Sequence, residues 1–180
     1  LEYFLARVIV STISRGEVPK FVARNIFGTS FLETLASVLE ASTETERVAF
    51  HTGAERLLAE ARALDRSAKN VAAFLLATLH LANTEEPIVI KGIEVDEARL
   101  MGNAMPAILD SCVVSQLDAR DADLTGVEFD GTSVFTMIVN DDTLVRDASI
   151  SPHRLVIVSG GDETVESDKA VINKWLLQHS

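Results

Sequence analysis

The sequence has few of the residues that carry metal, redox or hydrolytic chemistry. A single cysteine, Cys112, stands among 180 residues. It excludes an intramolecular disulfide, and its place in an apolar pattern predicts a buried packing residue rather than a nucleophile. The four histidines, His51, His80, His153 and His179, share no metal-ligand spacing with one another or with Cys112, so neither a zinc site nor any other metal is expected. His80 suits a helix C-terminus, and His153 is expected at an inward corner as a hydrogen-bonded structural residue. Basic residues are scarce: 16 Lys and Arg face 27 Asp and Glu, for a net charge of −11. With no basic cluster, such a surface repels phosphate backbones and direct nucleic-acid binding is not expected. No apolar run approaches the ~18 residues of a membrane span, and no basic-then-apolar leader appears, which predicts a soluble, cytoplasmic setting. Ser159-Gly160-Gly161-Asp162 lacks the lysine and spacing of a P-loop and reads as a turn. No nucleophile–base pair and no paired carboxylates are placed together by the sequence, so neither enzymatic activity nor a cofactor is expected.

What the sequence does have is a period of five. With 47% hydrophobic residues, apolar positions recur at Leu109, Val114, Ala119, Leu124, Phe129, Val134, Val139 and Leu144. The residue two places after each is never apolar: Ser111, Gln116, Asp121, Gly126, Gly131, Thr136, Asp141 and Arg146. A 3.6-residue helix and a two-residue strand repeat both fail to produce this beat, and a stacked coil does. It extends upstream through Ile90, Val95, Leu100 and Met105 with a one-residue deletion, and downstream to Ile150 and Leu155 with a one-residue insertion. The acidity follows the same division. Residues 1–90 carry 9 Lys/Arg against 11 Asp/Glu and residues 91–180 carry 7 against 16, so the halves hold −2 and −9.

The stretch Ala122-Asp123-Leu124-Thr125-Gly126 resembles the pentapeptide repeat, A-(D/N)-L-x-x. That resemblance implies a right-handed, square-sided β-helix with four pentads per turn. The positions two before each central residue run Ala107, Cys112, Leu117, Ala122, Val127, Thr132, Met137 and Asp142. The family prefers small residues there, so Leu117, Met137 and Asp142 predict a swollen or irregular coil. Fourteen pentads would make about three and a half turns, roughly 15 Å tall at strand spacing.

Before the coil the pattern is helical. Leu1 to Ser14 places Leu1, Phe4, Leu5, Val8, Ile9 and Ile13 on one face, with Gly16 closing the helix. A short helix is expected over Pro19 to Phe27, ended by Gly28. A third begins at Thr29 or Ser30, with Ser30 and Glu33 as a capping box, and buries Phe31, Leu32, Leu35, Val38 and Leu39 to about Ala41. Thr43 to Leu64 turns Val48, Ala49, Leu57, Leu58, Ala61 and Leu64 inward, with Gly53 a point of weakness. Ser67 then caps a helix carrying Val71, Phe74, Leu75, Thr78, Leu79 and Ala82, expected to cover one end of the coil. After Val156-Ile157-Val158 and its turn, Thr164 to Gln178 reads as a capping helix with Val165, Val171, Ile172, Trp175 and Leu176 on one side. The expected class is α+β: a helical domain of paired helices (1–84), a short pentapeptide-repeat-like β-solenoid (85–161) and a C-terminal helix (162–180).

The opening Leu1-Glu2-Tyr3-Phe4-Leu5-Ala6-Arg7 resembles the "EYFLA" segment that follows the nucleotide-binding core of NACHT-type signalling ATPases of the STAND class. A chain that starts at Leu1 inside a helical pattern is also what a piece of something longer would show. The resemblance implies a non-catalytic sensor or scaffold region following an upstream NTPase domain, with a protein ligand and, in bacterial members, a role in antiphage defence. The alternative is a free-standing acidic pentapeptide-repeat protein that mimics DNA and blocks an enzyme such as gyrase. Either reading directs attention to Asp118, Asp121, Asp123, Glu128, Asp130, Asp141 and Asp142 as a candidate protein-binding surface. Calcium is the other use for dense carboxylates, but their spacing is not that of an EF-hand, and a solvated acidic surface is the expectation.

Overall fold

The computed structural model describes residues 1–62, 65–103 and 106–180. Leu64 and Met105, both expected to point inward, lie outside the described residues. Four helices come first: α1 (Glu2–Ser14), α2 (Thr29–Glu40), α3 (Glu44–Ala59) and α4 (Arg66–Ala77), followed by a 3₁₀ turn at Leu79–Leu81. Among the described residues no helix is long and apolar enough to cross a membrane.

Four of the five helices expected before the coil form among the described residues, but tertiary contacts rotate their faces and reset their caps. On α1 the buried residues are Ala6, Ile9, Val10 and Ile13, whereas Leu1 and Phe4 are 104% and 69% exposed. The partner helix explains the shift, because α3 meets α1 at its C-terminal half, where Gly53 lies against the Ile13 carbonyl. The expected helix at 19–27 is instead a run of turns. Asn70 of α4 donates to the carbonyls of Val22 and Asn25 at 2.6 and 2.9 Å, and so holds them in an irregular path. The Ser30–Glu33 capping box does not form; α2 starts behind Gly28, and Glu33 reaches Arg99 at 3.0 Å. A capping box does close α3, between Thr43 and Glu46. That helix passes through Gly53 unbroken and stops at Ala59, with Val48 44% exposed rather than inward. Asp65, not Ser67, caps α4 by accepting from the Ser67 N–H. From Asn70 to Ala77 α4 is buried on every side, as befits a central helix.

The back half is a parallel β-solenoid of about 4 turns. The first coil holds β1 (Ile88–Lys91), β2 (Glu94–Arg99) and β3 (Gly102–Asn103). The second holds β4 (Ala107–Asp110), β5 (Val113–Asp118) and β6 (Ala122–Asp123). Then come β7 (Val127–Glu128), β8 (Ser133–Asn140) and, in the fourth coil, β9 (Arg154–Ser159). Val95 lies opposite Val114 and Val114 opposite Val134, offsets of 19 and 20 residues, so one coil consumes close to four pentads.

The five-residue beat points inward as expected through Leu109, Val114, Ala119, Leu124, Phe129, Val134 and Val139, all buried. It fails at Leu144, which is half-buried, while Val145 is 2% exposed and takes its place. The extra residue is therefore absorbed before Val145. There Thr143, fully buried, accepts from the Asn140 N–H and donates to the Ala119 carbonyl of the coil below. Left-handed corners occur two places after the beat at Ser111, Asp121, Gly126 and Gly131. At Gln116 and Thr136 the expected corner is absent, because β5 and β8 run straight through and two pentads share one long side. That side has room for the larger inward residues, and Ala98, Leu117, Met137 and Leu155 stack in register across it.

The second departure follows β9. Thr164 and Val165, expected to start a helix, lie in strand β10 (Asp162–Glu166), antiparallel to β9. Gly160 and Gly161 both have positive φ, 61° and 93°, which suits a two-residue hairpin turn and lets the chain fold back at once. Only after Asp168 caps it does α5 (Lys169–Gln178) begin, burying Ile172 and Trp175 while Val171 stays 42% exposed. The Val145 N–H donates to the His179 carbonyl at 2.9 Å, fastening α5 to the coil.

One cluster of buried side chains runs from Ala6 to Trp175. The helices α2 and α4 pack on β2, and α3 packs on β1. Ion pairs cross the same boundary, Lys69 with Glu94 at 2.7 Å and Arg99 with Glu33 at 3.0 Å.

Candidate functional site

The solenoid distributes the seven acidic residues by their place in the five-residue beat. Asp118 does not reach the surface: it is 1% exposed at the end of β5, directly opposite Arg99 of β2. Arg99 Nη1 donates to Asp118 Oδ2 at 2.6 Å, and Arg120 donates from Nε to Oδ1 at 2.9 Å and from Nη2 to Oδ2 at 2.6 Å. Burial works to raise the Asp118 pKa, but the Arg120 hydrogen bonds and the charges of both arginines outweigh it and hold the carboxyl below its ordinary value.

The others are exposed or half-buried and largely serve corners. Asp121 occupies a left-handed corner at φ 60° and exchanges hydrogen bonds with the Asn140 side chain of the next coil. Asp123 accepts from the Thr125 N–H and hydroxyl, and these bonds lower its pKa. Asp141 accepts from Ser159 Oγ at 2.9 Å. Glu128 and Asp130 lie exposed on and after β7, on the side where Lys91 and Asp110 pair at 2.7 Å. Asp142 is exposed. Among the described residues no group of three or more His, Cys, Asp or Glu is placed to hold a metal ion.

Cys112 is buried as expected, with Sγ donating to the Ile90 carbonyl at 3.3 Å, and burial pushes its pKa up. His153 is not at an inward corner: it is exposed and stacks on Phe135 at 5.1 Å, while Pro152 is the buried residue. His51 is buried in α3, with Nε2 3.1 Å from the Thr78 carbonyl and 3.2 Å from its hydroxyl. Burial lowers its pKa to about 4, and burial also lowers that of His80.

The cavities are surface grooves. One of about 460 Å³ is lined by Glu2, Leu5, Phe21, Ile26, Phe27 and Phe31 among others. A second, about 340 Å³, separates α1 from the start of α3, with Arg7, Ser11, Thr45 and Glu46 on its walls. In the second groove the Ser14 and Ser42 hydroxyls donate to the carbonyls of Val10 and Val38, and Glu46 accepts from the Thr43 N–H.

Sequence reasoning passed over Arg99 and Lys69 and assigned Glu33 to a helix cap, yet these are the charges that tie coil to coil and coil to helices. A signal for the coil pairs was present. Arg99 precedes Asp118, and Lys91 precedes Asp110, by one coil length, so opposite charges at the coil period mark stacked ion pairs. Nothing comparable marked Lys69 or Glu33, whose partners depend on how the helices dock. No protein-family model, curated protein or solved structure matches the chain.

Proposed function

We propose that this chain is a non-catalytic sensor or scaffold region of a NACHT-like NTPase. In this reading a right-handed quadrilateral coil of the pentapeptide-repeat type recognises a protein ligand in antiphage signalling within the cytoplasm. The observation that carries the reading is the continuity between coil and helices. The shared core and the Lys69–Glu94 and Glu33–Arg99 pairs join the two, and in this reading a binding event on the coil reaches the helical layer through those contacts. In that layer Leu1, Tyr3 and Phe4 are exposed, and their chain neighbours Glu2 and Leu5 line the groove at Ile26 and Phe27. An apolar face of that kind is what an adjoining NTPase domain would cover.

The test is a pull-down with the 180-residue chain as bait, in lysates of healthy and virus-infected cells, read by mass spectrometry. A single foreign protein enriched only after infection supports the sensor reading. Recovery of a topoisomerase or another DNA-binding enzyme from healthy lysate overturns it in favour of DNA mimicry.

A further inference from the structure

Strand β10 ends the five-stranded sheet, and nothing among the described residues pairs with its outer edge. A two-residue turn joins it to β9, so Ser159 and Asp162 flank the turn as a hydrogen-bonded pair, and Thr164 with Ile157 is the next such pair. The alternation leaves Glu163 and Val165 directing their backbone N–H and C=O groups away from β9, into solvent. On the sheet's outer face Ile138, Val156 and Val165 form one cross-strand row, half-buried in β8 and β9 and 46% exposed at Val165. The row, which Asp118 and Arg99 continue across β5 and β2, ends at Val165 on the open edge. Around it stand Asp162, Glu163 and Glu166, with no basic residue in the strand.

We propose that β10 is a docking edge for an extended basic peptide, which adds as a sixth strand. The backbone groups of Glu163 and Val165 supply the ladder bonds, an apolar residue opposite Val165 continues the Ile138–Val156–Val165 row, and basic residues lie opposite Glu166, Glu163 and Asp162. Read antiparallel to β10, the complementary pattern is basic, apolar, small polar, basic, basic. A basic peptide suits this edge better than a second copy of the chain, whose β10 brings three acids and no cation, and pairing two such strands about Thr164 sets Asp162 against Glu166. The inference rests on the reading of the coil as a protein-binding unit but needs no NTPase domain.

The probe is a capped peptide containing Lys-Val-Thr-Lys-Lys, titrated into the full chain and followed by amide NMR shifts. The control is the same peptide N-methylated at Val and at the Lys after Thr, the residues whose N–H groups would point at β10. Saturable binding that shifts the Glu163 and Val165 amides is expected. N-methylation should weaken it at least tenfold, as should Val165→Pro, which removes an outward N–H together with the last side chain of the row and takes no N–H from the β9 ladder. Should Val165→Pro unfold, Glu163→Lys/Glu166→Lys tests the charges instead, with at least a tenfold loss expected. Equal binding by the N-methylated peptide, shifts centred on other acidic residues, absence of saturation, or dimerisation through β10 would each overturn the proposal. The lysate experiment reads separately: a foreign protein captured by a chain whose β10 edge is blocked retains the sensor reading and removes this edge from it.

Discussion

Arg99 and Asp118, one coil apart, meet at 2.6 Å with 7% and 1% of their surfaces exposed. Two charges so enclosed lose hydration that their attraction only roughly restores, so keeping the pair contributes little while removing one partner is costly. Arg99 Nε already has no hydrogen-bond partner among the described residues. Asp118→Ala is expected to cost about 3–5 kcal/mol in urea denaturation, whereas Arg99→Met combined with Asp118→Leu should recover most of that loss. The Asp118 pKa lies below its unfolded value. Its contribution is therefore complete above the unfolded pKa and is lost as pH falls through the folded one.

His51 sets a second pH dependence of the same sign, at higher pH. Its pKa falls to about 4 because burial disfavours the imidazolium. Between the ordinary value of about 6.5 and that folded value, the unfolded chain binds a proton that the folded chain does not. Stability should then decline as pH drops through this window, by on the order of 3 kcal/mol in full. His80, lowered in the same direction by burial, adds to the decline. Denaturation midpoints at pH 7 and pH 5 check this, and His51→Gln should flatten most of the difference. An unchanged slope would place the titrating group elsewhere.

Gly53 tests the helical layer. A Cβ built there falls 2.1 Å from the Ile13 carbonyl oxygen and 3.0 Å from its carbon, both backbone atoms that cannot swing aside. In an isolated helix Gly→Ala gains roughly 1 kcal/mol. Here overpacking should reverse the sign, with Gly53→Ala destabilising by about 1–3 kcal/mol as α1 and α3 are forced apart. Thermal denaturation beside Gly53→Ser, which should be at least as harmful, separates this from a propensity effect.

The coil was more legible than the helices because its signal is local and repeated. A residue every five positions fixes the inward row, and Leu109 through Val139 follow it without exception. Where the reading failed, a non-local contact decided. Phe4 was assigned inward by spacing alone, but which half of α1 meets a partner depends on Gly53, some forty residues on. The segment at 19–27 has helical spacing, yet Asn70 holds its carbonyls. At 164–165 the Gly160–Gly161 pair marks a turn, and an immediate return strand follows where apolar spacing alone predicts a helix. The acidic residues were legible as a composition and not as a site. Asp118 differs from Asp121 only in which side of a corner it occupies, and one is sealed while the other is open.

The sharpest test of the five-residue register uses adjacent residues with opposite fates. Phe129 is 5% exposed within the coil, and Asp130 beside it is exposed. Phe129→Asp places a carboxylate in the hydrophobic cluster, so it loses the buried ring and buries a charge. Each loss is several kcal/mol on its own, comparable to the roughly 5–15 kcal/mol that holds a domain folded. Cooperative unfolding should therefore vanish from the Phe129→Asp melt. Asp130→Ala should leave the midpoint within about 0.5 kcal/mol of the parent, because the Ser111 N–H bonds to the Asp130 backbone carbonyl and not to its side chain. Equal damage from the two would mean that the chain does not alternate between wall and interior as the coil requires.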